Sequence, residues 1–326
     1  MTYPALVLNN DTYGVATDLA AGYLHNCALI TGGTVYCWGD NNNDQVVPYT
    51  GTLKYSTPQL VSGINNATQV SAGNAHSCAR LSDSTIKCWG NNTYGQTGTS
   101  SGSGNPVLIP NISTATKVFS YGNTNCALLA DTTITCWGDN TYGQVGTGNT
   151  TTPQSTPVAV SGVTGVIDVS VGLVHTCVIL TGGTVKCWGD NTYGQVGTGN
   201  TTTPQLTPVL VSGITTATSI SVGASHTCVT LTGGTIKCWG DNTYGQTGNG
   251  NNDTPQLTPV LVSGITTATS INTTSHYHMC ALLSDNSLKC WGIIILHKQE
   301  LDLAPQRSLR PSLCFWGPDL NILESI

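Results

Sequence analysis

The sequence is poor in charge. Asp, Glu, Lys and Arg make up 8% of its 326 residues, against about a quarter in an ordinary soluble domain, and the arginines are Arg80, Arg307 and Arg310 alone. With a formal net charge of −6, it has no basic stripe of the kind that grips a phosphate backbone. Phenylalanine is nearly missing as well: Phe119 and Phe315 are the two copies, beside two methionines. No apolar run approaches the roughly 20 residues of a membrane-spanning helix. The opening MTYPALVLNN lacks the basic start and apolar stretch of a signal peptide, so an export signal is expected outside this chain or not at all. No window spaces apolar residues at i, i+3 and i+4, which removes the main support for helices.

What is present repeats. Cys-Trp-Gly begins at Cys37, Cys88, Cys136, Cys187, Cys238 and Cys290, so successive copies stand 51, 48, 51, 51 and 52 residues apart. Each unit aligns as a TPVLV stretch (207–211 in the fifth), a small-residue stretch ATSISVG (217–223), HTCVTL (226–231), a glycine turn, TIKCWG (235–240) and a long polar segment. Val, Ile and Thr runs punctuated by Gly or Asp-Ser read as short strands, four per unit. One such unit of about 50 residues cannot bury both faces of its sheet, so neighbours must stack. The expected fold is all-β, a β-propeller of six recognisable four-stranded repeats, six-bladed or a truncated seven-bladed ring. A linear β-solenoid is the alternative. The propeller is expected over 1–292, with units at about 4–39, 57–90, 106–138, 157–189, 208–240 and 259–292.

Twelve of the thirteen cysteines pair off ten residues apart: Cys27 with Cys37, Cys78 with Cys88, Cys126 with Cys136, Cys177 with Cys187, Cys228 with Cys238, and Cys280 with Cys290. In CVTLTGGTIKC the pair is centred on Gly233, which suggests a hairpin with a three-residue Thr-Gly-Gly loop. The two cysteines then face each other on adjacent strands, within disulfide reach at a non-hydrogen-bonded position. Three readings compete. Metal ligation wants four converging ligands where each hairpin offers two; reduced cysteines would serve as small core residues; disulfides account for the unvarying partnership and imply an oxidising compartment. The disulfide reading is the expectation.

Trp38, Trp89, Trp137, Trp188, Trp239 and Trp291 follow these cysteines and are expected to supply the aromatic burial between blades. The GDNTYGQ that follows reads as a turn held by Asp and Asn, reversed at Gly194, with Gln195 in a position to bridge to the next blade.

The pattern H-T-C-x-x-L-x-x-G-x-x-K-C-W-G-D-N-x-Y-G-Q-x-G resembles the repeat of the regulator of chromosome condensation family, over roughly residues 4–292. That resemblance implies a propeller, usually of seven blades, and the paired cysteines make it similar to the exported bacterial branch of the family. The pattern stops at Gly292. Residues 293–326 change composition, carrying Arg307, Arg310 and the unpaired Cys314, and read as a divergent tail, non-native or a closing segment to which IIIL (293–296) adds a strand. The chain is expected to be a fragment or truncated copy of a longer surface protein.

No catalytic constellation breaks the repeat symmetry. His25, His76, His175, His226 and His278 sit two residues before the first cysteine of their pairs, with Thr124 in the third unit. Equivalent positions on different blades are commonly too far apart to share an ion, so a packing role is expected. Asp40, Asp139, Asp190 and Asp241 offer one carboxylate per loop, too few for calcium. The sequons at Asn66, Asn111 and Asn149 are expected by chance in so Asn- and Thr-rich a chain. No metal, cofactor or nucleic acid is expected. Tyr94, Tyr142, Tyr193 and Tyr244 on the loops are the candidate binding face. The reading is a non-enzymatic extracellular or cell-surface binding or adhesion scaffold for a protein or glycan, monomeric or part of a longer surface protein. The alternative is an intracellular regulator of the guanine-nucleotide exchange type acting on a small GTPase.

Overall fold

The computed structural model describes residues 13–48, 51–100, 103–275, 277–294 and 306–313. Among them every regular element is a strand, and the strands form six antiparallel four-stranded sheets. The first sheet orders β1 (Ala16–Ala21), β2 (His25–Ile30), β3 (Thr34–Asp40) and β4 (Lys54–Leu60). The second has β5 (Ala67–Ala72), β6 (His76–Leu81), β7 (Ile86–Gly90) and β8 (Ser103–Leu108), the third β9 (Ala115–Tyr121), β10 (Thr124–Leu129), β11 (Ile134–Gly138) and β12 (Gln154–Ala159). The fourth has β13 (Val166–Val171), β14 (His175–Leu180), β15 (Val185–Gly189) and β16 (Gln205–Leu210), the fifth β17 (Ala217–Val222), β18 (His226–Leu231), β19 (Ile236–Gly240) and β20 (Gln256–Leu261). The sixth has β21 (Ala268–Ser275), β22 (His278–Leu283), β23 (Leu288–Ile294) and β24 (Gln306–Leu313).

The hairpin expected around Gly233 is present. Gly234 N donates to Leu231 O at 2.9 Å and Leu231 N to Thr235 O at 2.8 Å, which leaves Thr232, Gly233 and Gly234 as the loop. This register sets Cys228 opposite Cys238, and all six pairs are disulfides with Cα atoms 4.1 Å apart. The glycine after each Trp is equally constrained. Gly39, Gly90, Gly138, Gly189, Gly240 and Gly292 have φ between 96° and 111°, and a Cβ on Gly240 would lie 2.5 Å from Ser225 O.

Two features differ from the sequence reading. The repeat units begin one strand earlier than the sheets do: the TPVLV stretch that opens each sequence unit is the fourth strand of the preceding sheet, as Lys186 pairs with Leu210 and Cys187 with Val209. The second difference is in the tail, where β24 pairs Lys289 with Leu313 and Cys290 with Ser312 and so completes the sixth sheet. Its Pro311 follows Trp291 by 20 residues, as Pro259 follows Trp239. Residues 295–305 and 314–326, Cys314 included, lie outside the described residues. Pro58, Pro106, Pro157, Pro208 and Pro259 all fall in fourth strands, the sheet edge, where a missing N–H is tolerated and discourages edge-to-edge pairing.

The strands gather into two compact units, one with β1 to β12 and the other with β13 to β24 and the loop Tyr142–Thr150. In the first, Trp89 packs in one cluster with Cys27 and Cys37, and Trp137 with Cys78 and Cys88. In the second, Trp239 packs with Cys177 and Cys187, and Trp291 with Cys228 and Cys238. Each of these rings therefore lies in one core with the disulfide of the preceding repeat. A buried indole removes roughly 200 Å² from water, worth on the order of 5 kcal/mol before conformational entropy is subtracted.

Candidate binding face

Antiparallel order puts the β1–β2 turn and the β3–β4 loop at one end of a sheet and the Gly hairpin at the other. The candidate tyrosines belong to the first of these ends. In the fourth repeat Asp190 Oδ1 accepts from the backbone N–H and hydroxyl of Thr192 at 3.2 and 2.7 Å and from the Thr203 hydroxyl at 2.8 Å. Its Oδ2 accepts from Gln195 Nε2 at 2.8 Å. Asn191 Oδ1 accepts from Val196 N, and its amide donates to the carbonyls of Asn200 and Thr202. Asp241 repeats the arrangement with Thr243, Thr254 and Gln246. The carboxylates, the Asn and the Gln thus hold the loop's own shape. Among the described residues no group of three or more His, Cys, Asp or Glu is placed to hold a metal ion.

The tyrosines are what the loop leaves outward. Tyr94, Tyr142 and Tyr193 are 38%, 44% and 43% exposed. Tyr244 is half-buried and meets Tyr277 edge-on, ring centroids 5.6 Å apart. Tyr23, Leu24 and Tyr277, which the sequence reading did not single out, are also exposed in the turns at this end of their sheets. Their signal was a large apolar side chain between a strand end and the repeated histidine, where Asn74-Ala75 and Ala224-Ser225 stand elsewhere.

Loop and sheet meet at the tryptophan. Trp89, Trp137, Trp188, Trp239 and Trp291 donate Nε1–H to the backbone carbonyls of Gln45, Gln96, Gln144, Gln195 and Gln246, at 2.8 to 3.0 Å. Gln195 does bridge to the next blade, through its carbonyl, while its side chain turns back to Asp190 and to Tyr193 N.

A second bond runs beside the first. The residue after His76, Thr124, His175 and His226, also missed in the sequence, donates to the same Gln carbonyl: Asn125 to Gln96 at 3.0 Å, Thr176 to Gln144 at 2.9 Å and Thr227 to Gln195 at 3.0 Å, with a longer 3.4 Å contact from Ser77 to Gln45. That residue in turn meets the preceding repeat's histidine. His25 Nε2 lies 2.8 Å from Ser77 Oγ, His76 Nε2 2.8 Å from Asn125 Oδ1, and His175 Nε2 2.8 Å from Thr227 Oγ1. Since these groups give their hydrogens to the carbonyl, they accept from the histidine, which carries its proton on Nε2. Burial drives the ring pKa down, to about 3 for His25 and His175 and about 4 for His76 and His226. Burial also lowers His278. In the third repeat the Thr124 hydroxyl donates to Asp139 O instead.

A family model described as RCC1-like domain matches residues 2–281. Among curated proteins, human HERC4, named a probable E3 ubiquitin-protein ligase, is 37% identical over 83 residues, covering 25% of this chain and 8% of that protein. The matched stretches are a tenth or less of the length of such relatives. Human WBSCR16 superposes with a TM-score of 0.81 at 21% identity, over 93% of this chain and 82% of its own. Prp20p of Saccharomyces cerevisiae, described with its binding properties to Gsp1p and histones, gives 0.79 at 18% over 94% and 78%. The ectodomain of the Physcomitrella patens receptor kinase CR4 gives 0.56 at 22% over 85% and 63%.

Proposed function

The chain belongs to the RCC1-like domain family, and on that footing we propose that it is a non-enzymatic binding scaffold working outside the reducing cytoplasm. The loops that follow Cys-Trp-Gly, with Tyr94 exposed in one unit and Tyr142 and Tyr193 exposed in the other, take a protein or glycan partner. One observation carries this: six hairpin disulfides, all buried but for half-buried Cys280, a bond type that persists in oxidising compartments and is rare in the cytosol. The ectodomain likeness supports the same placement, as a likeness of fold. Tyrosines raised on a rigid frame bring large contact area at small entropic cost. Among the described residues no helix is long and apolar enough to cross a membrane.

A second reading, exchange-factor action on a small GTPase, is favoured by the likeness to Prp20p. One comparison separates the two. The purified chain and a Tyr94→Ser/Tyr142→Ser/Tyr193→Ser variant are applied to a glycan array and to intact cells, and in parallel to small GTPases loaded with a fluorescent nucleotide. The scaffold reading expects binding that the variant loses and no acceleration of nucleotide release. Accelerated release without surface binding would install the exchange factor instead.

A further inference from the structure

Besides the third repeat, where Thr124 replaces the histidine, the histidine relay is broken at His226. Met279 stands where Ser77, Asn125, Thr176 and Thr227 stand in the other repeats, and a thioether side chain neither donates to the Gln246 carbonyl nor answers the preceding histidine as a hydroxyl does. His226, fully buried, accordingly has no partner on Nδ1 or on Nε2. His25, His76 and His175 lack one only on Nδ1. That atom has no room for a new partner: a Cβ on Gly22, Gly73 or Gly223 would fall 2.5 to 2.7 Å from the Nδ1 of His25, His76 or His226.

We propose that the repeat joints are an acid-sensitive device, and that the joint between the fifth and sixth repeats, built on His226 and Met279, is the one that opens first as pH falls. A proton taken up at Nδ1 converts the ring into an imidazolium whose new N–H points at a glycine backbone and finds no acceptor. The charge is relieved when the sheets part and water reaches the ring. At the first three histidines the Nε2 bond to the next repeat resists this. At His226 that bond is missing, and the contacts across the joint include the Trp291 bond to Gln246 O, the Thr273 N bond to Ser221 Oγ, the Tyr244–Tyr277 ring contact and the core around Trp291. The charged groups facing the ring act in opposite senses, Asp241 at the end of β19 raising its pKa and His278 on β22 lowering it, and leave it at about 4 as for His76, so the missing Nε2 bond sets the order of opening. His175 faces His226 and Asp190, and His25 and His76 face each other.

The sign follows from linkage. An unfolded or opened histidine titrates near 6.5, and these rings near 3 to 4 when closed. The closed joint is fully favoured above about pH 6.5 and loses up to tenfold in its closing equilibrium per pH unit below it, until the folded pKa is reached.

The test uses the full chain with all disulfides intact, treated with a phosphine reductant at about pH 7 and about pH 4.5, with freed thiols trapped and mapped by mass spectrometry. Rates are normalised to a small disulfide peptide in the same buffer. At the lower pH, Cys228–Cys238, which shares its core with Trp291, and Cys280–Cys290 are expected to react first, about a hundredfold faster than at pH 7. Met279→Thr restores the missing link and slows that reaction at least threefold. His226→Asn abolishes its pH dependence and leaves the other joints unchanged. If His226→Asn does not fold, Met279→Thr decides alone. Reduction of all six disulfides together, an order unchanged between the two pH values, or a Met279→Thr chain with the parent's rates would overturn the proposal.

Discussion

Each of Trp89, Trp137, Trp239 and Trp291 does two things with one side chain. Its ring packs in a core with the neighbouring repeat's disulfide, and its Nε1–H ties down the loop that repeat sends over. Trp239→Phe keeps most of the apolar area but strips the Gln195 carbonyl of the indole donor and leaves it the Thr227 hydroxyl. A cost of about 2 kcal/mol is expected from the lost bond and the small void, read from denaturant unfolding under non-reducing conditions. A cost near zero would mean the indole is not a joint. Gly240 is a sharper case. With φ at 102° and Ser225 O only 2.5 Å from where a Cβ would stand, Gly240→Ala should cost at least about 2 kcal/mol by the same measurement, whereas a substitution at an exposed loop Thr such as Thr192 should stay within about 0.5 kcal/mol.

At the scale of the element, the hairpin disulfide is a local staple. Replacing Cys228 and Cys238 together by Ala removes a short closed loop, for which chain entropy gives about 2 to 3 kcal/mol. The deletion also thins the core beneath Trp291. Calorimetry should show a lower Tm for this pair than for the same change at Cys27 and Cys37 if packing by the following Trp adds to the staple only where the joint is already weak. Hairpins were the most legible elements in the sequence, because a ten-residue gap, a Gly pair and facing cysteines fix loop length and register at once. The phase of the sheets was not legible. A cyclic order of four strands reads the same wherever it is cut, and nothing in TPVLV says that it closes the sheet before it rather than opening the one after. The tail was hidden differently: its composition changes at Ile293, but the outer strand's demand is slight, a Pro at the edge and a Leu two residues on, and Ser308 to Leu313 meets it. The binding face was half legible. Tyr in a GDNTYGQ loop reads as exposed, yet Tyr244 is drawn against Tyr277 by a sixth-repeat turn one residue longer than its counterparts. The relay was invisible because its central group is a backbone carbonyl, and any Ser, Thr or Asn one residue after the histidine serves it.

For the molecule as a whole, low charge and many disulfides belong together. With 8% charged residues the fold has little to gain from ion pairs. Its loops are held by amide and hydroxyl donors to Asp and Asn, its repeats by indole and hydroxyl donors to carbonyls, and its hairpins by covalent staples. Such a molecule should tolerate salt: raising NaCl from about 0.05 to 1 M should leave its Tm within a few degrees, since screening acts on charge pairs and few support this structure. It should be far more sensitive to reductant and to pH below about 6. A role outside the reducing cytoplasm requires that the staples form where the protein works. The deciding measurement is a thiol count by intact mass, with thiols alkylated at the moment the protein is taken from its native compartment, before and after denaturation. One alkylated thiol per chain, on Cys314, with twelve more appearing only after reduction is the predicted result. Thirteen free thiols in the freshly trapped protein would contradict it and return the repeats to a reducing interior.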